Sequence, residues 1–369
     1  MYKKLPTGVR RHTSRIYWRL FRPSPSSDEV LWAYRLFLGR EPESRAIINA
    51  QMAAHESVDG IRRDFIRSTE FEAYYRSLVP APRYGIAPFL LPSASDNGKI
   101  AIETPTMAHP ASQMCTHSQF LESDYKRVAK ALSIDDEVLH RKNWEWCYII
   151  RVLESAGMIA SGKRGVGFGC GTEPLPSLMA ARGVQVLVSD APQEVADKHG
   201  WSSTQQYASS LHDVWKPRLV DKRAFDDLVS SQVVDMRSIA SNIRDFDFTW
   251  SSCALEHLGS LQAGLDFIVS SMDCLKPGGI AVHTTEFNIS SNDETVETEW
   301  LSVYRKKDIE QLVEQLYADG HSVWPLNFFP GREPIDEHID TPPFTPIHLK
   351  LQFMGATFTS IGLVIQKAA

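Results

Sequence analysis

The sequence predicts an α/β fold in which a mostly parallel sheet follows a small all-helical domain. From residue 161 onward, short apolar and β-branched segments alternate with helical ones. This alternation favours parallel strands joined by right-handed crossovers. Between residues 28 and 78, apolar residues recur at helical spacing instead. The two patterns indicate at least two units within the 369 residues, each long enough to bury its own core.

The composition is that of an ordinary globular protein, with 43% hydrophobic and 23% charged residues. No apolar run approaches the roughly 18 residues that a membrane-spanning helix needs. The five cysteines are odd in number and lack the CxxC spacing of a zinc site. This pattern argues against a disulfide framework and predicts a protein of the reducing cytoplasm.

The charge is distributed unevenly along the chain. Residues 1–22 carry seven basic residues and no acid, so the remainder holds 32 basic against 45 acidic side chains, a formal charge of −13. A body of that sign is a poor general binder of nucleic acid, because phosphate affinity requires a basic face. We therefore expect no nucleic-acid partner and treat residues 1–27 as a separate basic leader.

A helix over residues 14–22 of this leader would be amphipathic, with aromatic and aliphatic side chains beside a stripe of arginines. Such a helix can lie on an anionic membrane surface, which would give residues 1–22 a peripheral contact with the inner membrane face. It can equally dock on the acidic body of the same chain or of a neighbouring one. The sequence leaves the oligomeric state open.

The predicted domains follow from shifts in composition. Residues 28–78 form the helical domain, in which Gly39 is the expected end of a helix. Residues 79–117 open with a proline-rich stretch and indicate a linker or an extended wrap. Residues 118–160 are again helical in pattern and are expected to cap the sheet domain, which occupies residues 161–369.

Six strands are predicted within the sheet domain, with helices near residues 176–182 and 261–275. Each strand is a short run of apolar or β-branched residues bounded by Gly, Pro or polar turn residues. The strands cover residues 165–168, 184–189, 246–252, 280–286, 321–328 and 357–366.

A glycine-rich turn follows the first of these strands and reads Gly165-Val-Gly-Phe-Gly-Cys-Gly-Thr-Glu173. Closely spaced glycines between a strand and a helix let the backbone approach a ligand. Asp190 ends the next strand, 19 residues after Gly171. An acid at that position can accept both ribose hydroxyls of a nucleotide-like cofactor. The spacing leaves a dinucleotide and S-adenosylmethionine open, whereas a P-loop is excluded because no Lys-Ser/Thr follows the turn.

Three further motifs follow along the chain. Asp235-Met236 could bind an adenine amino group and pack on its ring. Then come Phe246-Asp-Phe-Thr-Trp-Ser-Ser-Cys-Ala-Leu-Glu-His257 and Leu275-Lys-Pro-Gly-Gly279. Together the motifs resemble the GCGT, D, LEH and LKPGG branch of class I S-adenosylmethionine-dependent methyltransferases. The resemblance covers residues 161–287 and implies a Rossmann-like fold with a mostly parallel seven-stranded sheet whose last strand is antiparallel.

The resemblance also implies S-adenosylmethionine as cofactor and a set of positions that bind it. Gly167, Gly169 and Gly171 are the implied cofactor-binding glycines, and Gly169 and Gly171 would lie under the methionine part. The chain departs from the family at Gly167, where an acid is usual, and at Glu173, where glycine is frequent; we expect Glu173 to take over the methionine ammonium group. The other implied contacts are Asp190 with the ribose, Asp235 and Met236 with the adenine, and Ser252 at the end of the fourth strand.

Methyl transfer to a hydroxyl requires a group that removes the hydroxyl proton. In an open α/β sheet this group is expected at the carboxyl ends of the strands. The candidates are His257, which has a near-neutral reference pKa, and Glu286, which ends a predicted strand. The alternative for His257 is helix capping with a cofactor contact, and for Glu286 a substrate contact without proton transfer.

Residues 140–148 directly precede the glycine-rich strand and are rich in aromatic and charged side chains. Trp144 and Glu145 are predicted substrate contacts, Trp144 by stacking on adenine or on an acceptor sugar ring, and Asn288 is a third. The alternative is an amphipathic helix whose aromatic residues pack on the sheet. The histidines after residue 320 are too scattered to indicate a metal site, and none is predicted.

The helical domain carries a resemblance of its own. Tyr34-Arg-Leu-Phe-Leu-Gly-Arg-Glu-Pro42 and Phe65-Ile-Arg-Ser-Thr-Glu-Phe71 resemble a domain of unknown function found beside bacterial glycosyltransferases. The resemblance suggests a cell-envelope polysaccharide setting. The leading hypothesis is therefore an O-methyltransferase acting on a sugar hydroxyl of a surface polysaccharide or its precursor, with a saccharide or glycan acceptor. The alternatives are methylation of a small metabolite or lipid, and a catalytically silent scaffold.

Overall fold

The computed structural model of the protein describes residues 25–78, 82–91, 103–198, 207–208 and 210–369. The basic leader lies almost wholly outside these residues, and its contact with a membrane or a partner stays a prediction. The chain divides into two compact units, one ending at Ala81 and one beginning at Pro82. Within the described ranges, no helix has both the length and the apolar character that a bilayer crossing requires.

The first unit is built from short helices with serine caps. Helix α1 (Ser27–Ala33) begins at a capping box formed by Ser26 and Glu29. It continues as a π-helical turn over Tyr34–Leu38 and ends at Gly39, as the sequence predicted, because the φ of 65° there is easily adopted by glycine. The helices that follow are α2 (Arg45–Ala54), α3 (Val58–Ile66) and α4 (Thr69–Leu78).

The second unit begins with the described part of the predicted linker or wrap, which packs into its core. Tyr84 is buried, and its hydroxyl donates to the carbonyl of Ile289 at 3.1 Å. Met107 and Met114 are also buried. The elements before the glycine-rich turn are β1 (Ser112–Gln113), α5 (His117–Leu121), α6 (Ser123–Ala131) and α7 (Arg141–Ser155).

An eight-stranded sheet forms the centre of the second unit. Its strands are β2 (Arg164–Phe168), β3 (Gln185–Asp190), β4 (Val229–Val233), β5 (Phe246–Ser252), β6 (Leu275–Asn288), β7 (Ser322–Val323), β9 (Leu351–Phe353) and β10 (Ala356–Gln366), and β8 (Leu326–Asn327) pairs with β1 outside it. The order is β4-β3-β2-β5-β6-β10-β7, with β9 added on β10. Strands β2 to β6 are parallel, whereas β10 is antiparallel to β6 and β7. The predicted Rossmann-like α/β fold is confirmed.

The structure corrects the strand prediction in several places; the short strands β1 and β9, for example, were not predicted. The predicted strand at residues 321–328 is divided between β7, at the edge of the sheet, and β8, which pairs with β1. Strand β4 is missing from the prediction because its sequence, Val-Ser-Ser-Gln-Val, is mostly polar, as suits an exposed edge. The helices of the sheet domain are α8 (Leu175–Ala181), α9 (Gln193–Lys198), α10 (Leu211–Val214), α11 (Lys222–Leu228), α12 (Leu261–Ser271) and α13 (Lys306–Ala318).

The contact between α7 and β10 gives a testable result. A Cβ atom at Gly362 would overlap the ring of Tyr148, which is fully buried and donates its hydroxyl proton to the carbonyl of Ala111. We expect Gly362→Ala to lower the free energy of unfolding by about 1–3 kcal/mol, because a packed core yields little. The matched control is Gly85→Ala, since a Cβ there has no neighbour within 4 Å. Equal thermal denaturation curves for the two variants would contradict the packing argument.

Candidate active site

A cavity of about 330 Å³ opens at the carboxyl ends of β2, β3 and β5. This is the edge at which open α/β sheets bind ligands. The cavity brings together the glycine-rich turn, the end of β3 and the segment after β5. Its lining includes Gly169, Asp190, Ala191, Val234, Asp235, Met236, Arg237, Cys253, Ala254, His257 and Glu299.

The glycine-rich turn forms one wall of this cavity. Gly169 and Gly171 have φ values of 61° and 49°, in the left-handed region. A Cβ atom at Gly169 would approach Ala254 to 2.6 Å and Met236 Sδ to 3.6 Å. Because Gly169 has no side chain, the backbone of the turn is open to the cavity at this point; we call this surface the glycine cradle. This shape fits a ligand that lies directly on the turn, as S-adenosylmethionine would.

Asp190 stands at the end of β3 and faces the same cavity. Its Oδ2 accepts a hydrogen bond from the Gly171 backbone N–H at 3.0 Å, and its Oδ1 accepts from the Ala191 N–H at 2.9 Å. Burial raises the pKa of this carboxyl, and the backbone hydrogen bonds oppose the rise. Each oxygen retains accepting capacity, because a carboxylate oxygen has more than one lone pair. The side chain can therefore bind two adjacent hydroxyl groups.

Asp235 and Met236 also line the cavity, as the resemblance implied. Both carboxylate oxygens of Asp235 already accept from the guanidinium of Arg237, at 3.0 and 2.8 Å. This pairing lowers the pKa of Asp235. Met236 is buried and supplies an apolar surface beside Gly169. The adenine contact of these two residues stays a prediction. The carboxylate of Asp235 is already paired with Arg237, whereas Met236 offers an apolar surface.

Three predicted cofactor contacts lie elsewhere. Gly167 is inside β2, where its missing Cβ makes room for the indole of Trp250. Glu173 is buried, its Oε1 accepts from Trp250 Nε1 at 2.6 Å, and burial raises its pKa to about 8; its contact with the methionine ammonium group stays a prediction. Ser252 lies behind the wall, and its hydroxyl donates to Glu145 Oε2 at 3.2 Å.

His257 occupies the cavity wall at the end of a 3₁₀ turn over Leu255–His257. Its Nδ1 lies 2.6 Å from the carbonyl oxygen of Trp300. Because a carbonyl can only accept, Nδ1 carries the proton and Nε2 is the basic nitrogen. Burial lowers the pKa of His257, against the opposing effects of the Trp300 carbonyl and the Glu286 carboxylate. The imidazole is therefore neutral at neutral pH, the form that can accept a proton.

A group of charged side chains lies behind this wall, with three buried carboxylates and two partly exposed cations; we call Arg141, Lys142, Glu145, Glu256 and Glu286 the buried ion cluster. Arg141 Nη2 lies 2.5 Å from Glu286 Oε1, and Lys142 Nζ lies 2.9 Å from Glu145 Oε2. Burial opposes ionisation of Glu145, but Lys142 and Arg141 lower its pKa to about 2. Burial raises the pKa of Glu286 to about 7, although Arg141 opposes the rise.

The buried ion cluster contains polar atoms without a hydrogen-bond partner among the described residues: Glu256 Oε1, Glu286 Oε2 and Arg141 Nε. One ligand atom each from Cys253, Glu256 and Glu286 lies within 4.8 Å of the others, as in a metal site. The guanidinium of Arg141 already contacts Glu286 and lies 3.7 Å from Cys253 Sγ. The guanidinium thus contacts two of the three residues, and the predicted absence of a metal stays a prediction.

The structure overturns two of the three predicted substrate contacts. Trp144 is fully buried, stacks on Tyr148 at 4.8 Å between ring centroids, and donates its Nε1 proton to Gln119. It belongs to the core, as the alternative reading of residues 140–148 had it. Asn288 is buried too; its amide donates to the loop at 294–295 and accepts from Ser290, so it organises a turn. Glu145 lies beside the site within the buried ion cluster.

Several residues of the site escaped the sequence analysis. Cys253 lines the cavity with a φ of 47°, unusual for a residue other than glycine. Glu256 precedes His257 in the LEH motif, and this adjacency was the available signal. Trp300 and Glu299 have no motif that marks them, because they reach the site through a long loop.

The sheet order, the glycine cradle and the acid at the end of β3 define a Rossmann-like nucleotide-binding protein of the methyltransferase class. A sequence model described as "Methyltransferase domain" matches residues 140–333, slightly more than half of the chain. The protein belongs to this family and is an S-adenosylmethionine-dependent methyltransferase of class I. The more specific branch and the relationship of the helical domain remain predictions.

Solved structures with some likeness include three methyltransferases. Magnesium protoporphyrin IX methyltransferase from Synechocystis PCC 6803, solved with bound SAH, has 10% identity and a TM-score of 0.38, with coverage of 68% of this chain and 97% of that one. A methyltransferase from Clostridium acetobutylicum ATCC 824 has 12% identity, a TM-score of 0.34 and coverage of 66% and 98%. The methyltransferase domain of bacterial CtHen1-CN has 15% identity and a TM-score of 0.38, with coverage of 62% of this chain and 100% of that one. A comparison with the curated proteins finds no match.

Proposed function

We propose that the protein methylates a sugar hydroxyl of a bacterial surface polysaccharide or of its precursor. The saccharide part rests on the resemblance of the helical domain to a domain found beside glycosyltransferases, and on the acidic body, which disfavours nucleic acid. The hydroxyl part rests on His257. A hydroxyl is a weak nucleophile that must lose its proton during transfer, so an O-methyltransferase gains from a base beside the cofactor.

The observation that carries the proposal is the orientation of His257 on the cavity wall. The Trp300 carbonyl holds the Nδ1 proton at 2.6 Å, so Nε2 is the nitrogen able to take up a proton. When bound, S-adenosylmethionine supplies an electrophilic methyl group on a sulfonium centre. His257 Nε2 accepts the proton of the attacking hydroxyl, and the imidazolium that results loses it to solvent after product departure.

The other residues of the cavity position the two substrates. Asp190 binds the ribose hydroxyls, and the cradle at Gly169 holds the methionine part close to the segment after β5. Behind them the buried ion cluster keeps Glu145 ionised, because Lys142 and Arg141 lower its pKa to about 2.

Glu286, a candidate base in the sequence analysis, has a positioning role in this scheme. Its carboxylate is almost fully buried and touches Arg141, which joins it to the ion cluster behind the wall. His257 itself lines the cavity. We therefore assign the base to His257 and a positioning role to Glu286, whose charge raises the pKa of His257.

The acceptor is tested by incubating the protein with S-adenosylmethionine labelled in the methyl group. The acceptor panel holds nucleotide sugars, neutral oligosaccharides, lipid extract and protein extract. We expect label in a saccharide fraction, in a methyl ether that survives alkaline treatment, which removes methyl esters. Label that enters only lipid, protein or a small non-saccharide metabolite would refute the saccharide proposal while leaving the enzyme class intact.

A further inference from the structure

Three neighbouring aromatic side chains begin on the loop that carries Glu299 of the cavity wall; we call Trp300, Phe353 and Phe344 the aromatic row. The ring centroids of Trp300 and Phe353 are 6.1 Å apart, and those of Phe353 and Phe344 are 6.5 Å apart. Trp300 and Phe344 are exposed to 44% and 45%. Large aromatic rings that are exposed next to one another form an apolar surface suited to a ligand.

Trp300, the first residue of the row, is hydrogen-bonded through its backbone to the proposed base. The carbonyl oxygen of Trp300 accepts the Nδ1 proton of His257, and the neighbouring Glu299 lines the cavity. The turn that carries Trp300 is closed by Thr298, whose hydroxyl oxygen accepts from the backbone N–H groups of Trp300 and Leu301 at 3.3 and 3.0 Å. The backbone of Trp300 is therefore held at a defined place beside His257, and its indole is exposed on the same loop.

The outer end of the row is fastened by a buried carboxylate. Asp340 is fully buried and accepts from the Thr345 N–H, the Thr345 hydroxyl and His348 Nδ1, at distances of 2.6–3.1 Å. The Phe344 ring lies edge-on against His348 at 5.0 Å, and His348 stacks on His140, the cap of α7. The exposed Phe344 ring therefore lies on a loop that contacts the start of α7, the helix that carries Arg141, Lys142 and Glu145.

The charges around the cavity discriminate between saccharide acceptors. Asp190, Asp235 and Glu299 line it, and the guanidinium of Arg237 is paired with Asp235. The three acids outnumber the one guanidinium among these lining residues, and the negative charge that remains repels the diphosphate of a nucleotide sugar. A neutral glycan meets no such cost, and the apolar faces of its sugar rings can stack on aromatic side chains.

We propose that the aromatic row is a binding subsite for successive rings of a neutral glycan chain, which brings one hydroxyl of that chain to His257. The inference rests on the proposed saccharide acceptor and narrows it from any sugar to an extended, uncharged glycan. Because three rings in succession span more than one sugar, binding to the row strengthens as the glycan becomes longer.

The test is binding of the full chain, with the product S-adenosylhomocysteine present, to an array of neutral gluco-, manno- and rhamno-oligosaccharides from single sugars to hexasaccharides, printed beside nucleotide sugars. We expect binding to increase with chain length. Trp300→Ala and Phe344→Ala should each weaken it about tenfold, the loss typical of one stacked ring, and Trp300→Phe should restore most of it. The control is Tyr317→Ala, an exposed aromatic on α13 outside the row.

Two outcomes overturn the inference, and they are separable from failure of the proposed function. Equal binding by wild type and both alanine variants, or by single sugars and hexasaccharides, removes the row as a subsite. Binding or methylation of nucleotide sugars, unaffected by the alanine variants, also overturns the row but leaves a saccharide methyltransferase in place. Absence of binding to every saccharide, with label in another fraction, overturns both.

Discussion

Asp190→Ala should lower the affinity for S-adenosylmethionine by about 10²–10⁴-fold, the loss of two hydrogen bonds to a charged group. The carboxylate lies at the end of β3 in the cavity, fixed by the Gly171 and Ala191 N–H groups. Its removal eliminates the acceptor for the ribose hydroxyls and leaves the Gly171 N–H without its partner. The measurement is isothermal titration calorimetry with S-adenosylmethionine and, separately, with S-adenosylhomocysteine.

Two controls separate the ribose contact from general damage to the cavity. Asp190→Asn keeps the shape and one carbonyl oxygen, so its loss should be intermediate. Asp235→Ala removes another acid of the cavity whose oxygens are already engaged by Arg237, and we expect less than about tenfold weakening. Unchanged affinity in Asp190→Ala, in a protein with normal thermal denaturation, would refute the assignment. A larger loss in Asp235→Ala would place the main polar contact at the adenine instead.

His257→Ala should reduce kcat by about 10²–10⁴-fold, the usual contribution of a general base. The affinity for S-adenosylmethionine should change little, because the proposed cofactor contacts are made by Asp190 and the glycine-rich turn. The measurement is the initial rate of methyl transfer to a saccharide acceptor at saturating cofactor, with calorimetry as the binding control. A variant that raises KM for either substrate while keeping kcat would show that His257 is only a contact.

The pH dependence of the rate distinguishes His257 from Glu286 as the base. Burial lowers the pKa of His257 below its ordinary value near 6.5, and the active form is the neutral imidazole. The rate should therefore rise with pH on the acid side and reach its plateau before neutral pH. Burial raises the pKa of Glu286 to about 7, so a glutamate base would place the rise near pH 7. A rise near pH 7 that disappears in Glu286→Gln would overturn our assignment.

Much of the fold was predictable because its signals are local. Strands β2, β3, β5 and β6 are runs of buried residues between turn signals, and the glycines that follow β2 have the left-handed φ values that their chemistry suggests. Strand β4 could not be found in the same way, since it lies at the edge of the sheet and is mostly polar.

The same contrast applies to the site. Gly169 and Asp190 belong to neighbouring turns of one βαβ unit, so their meeting in the cavity follows from the motif itself. Trp144 and Glu145 are adjacent in sequence, and the pattern could not tell which of them faces the site. The rotation of α7 against the sheet decides this, because it buries Trp144, whose Nε1 donates to Gln119, and turns Glu145 toward Ser252.

The sequence by itself determined the fold class, the glycine cradle and the acid beside it, because each follows from the repeating βα pattern or from residues of a single βαβ unit. Only the tertiary structure decided how the basic segment at Arg141 meets Glu286, and how the Trp300 turn holds His257. These contacts join residues more than forty positions apart. Their partners are chosen by packing of the helix and the long loop on the sheet, which no local pattern encodes.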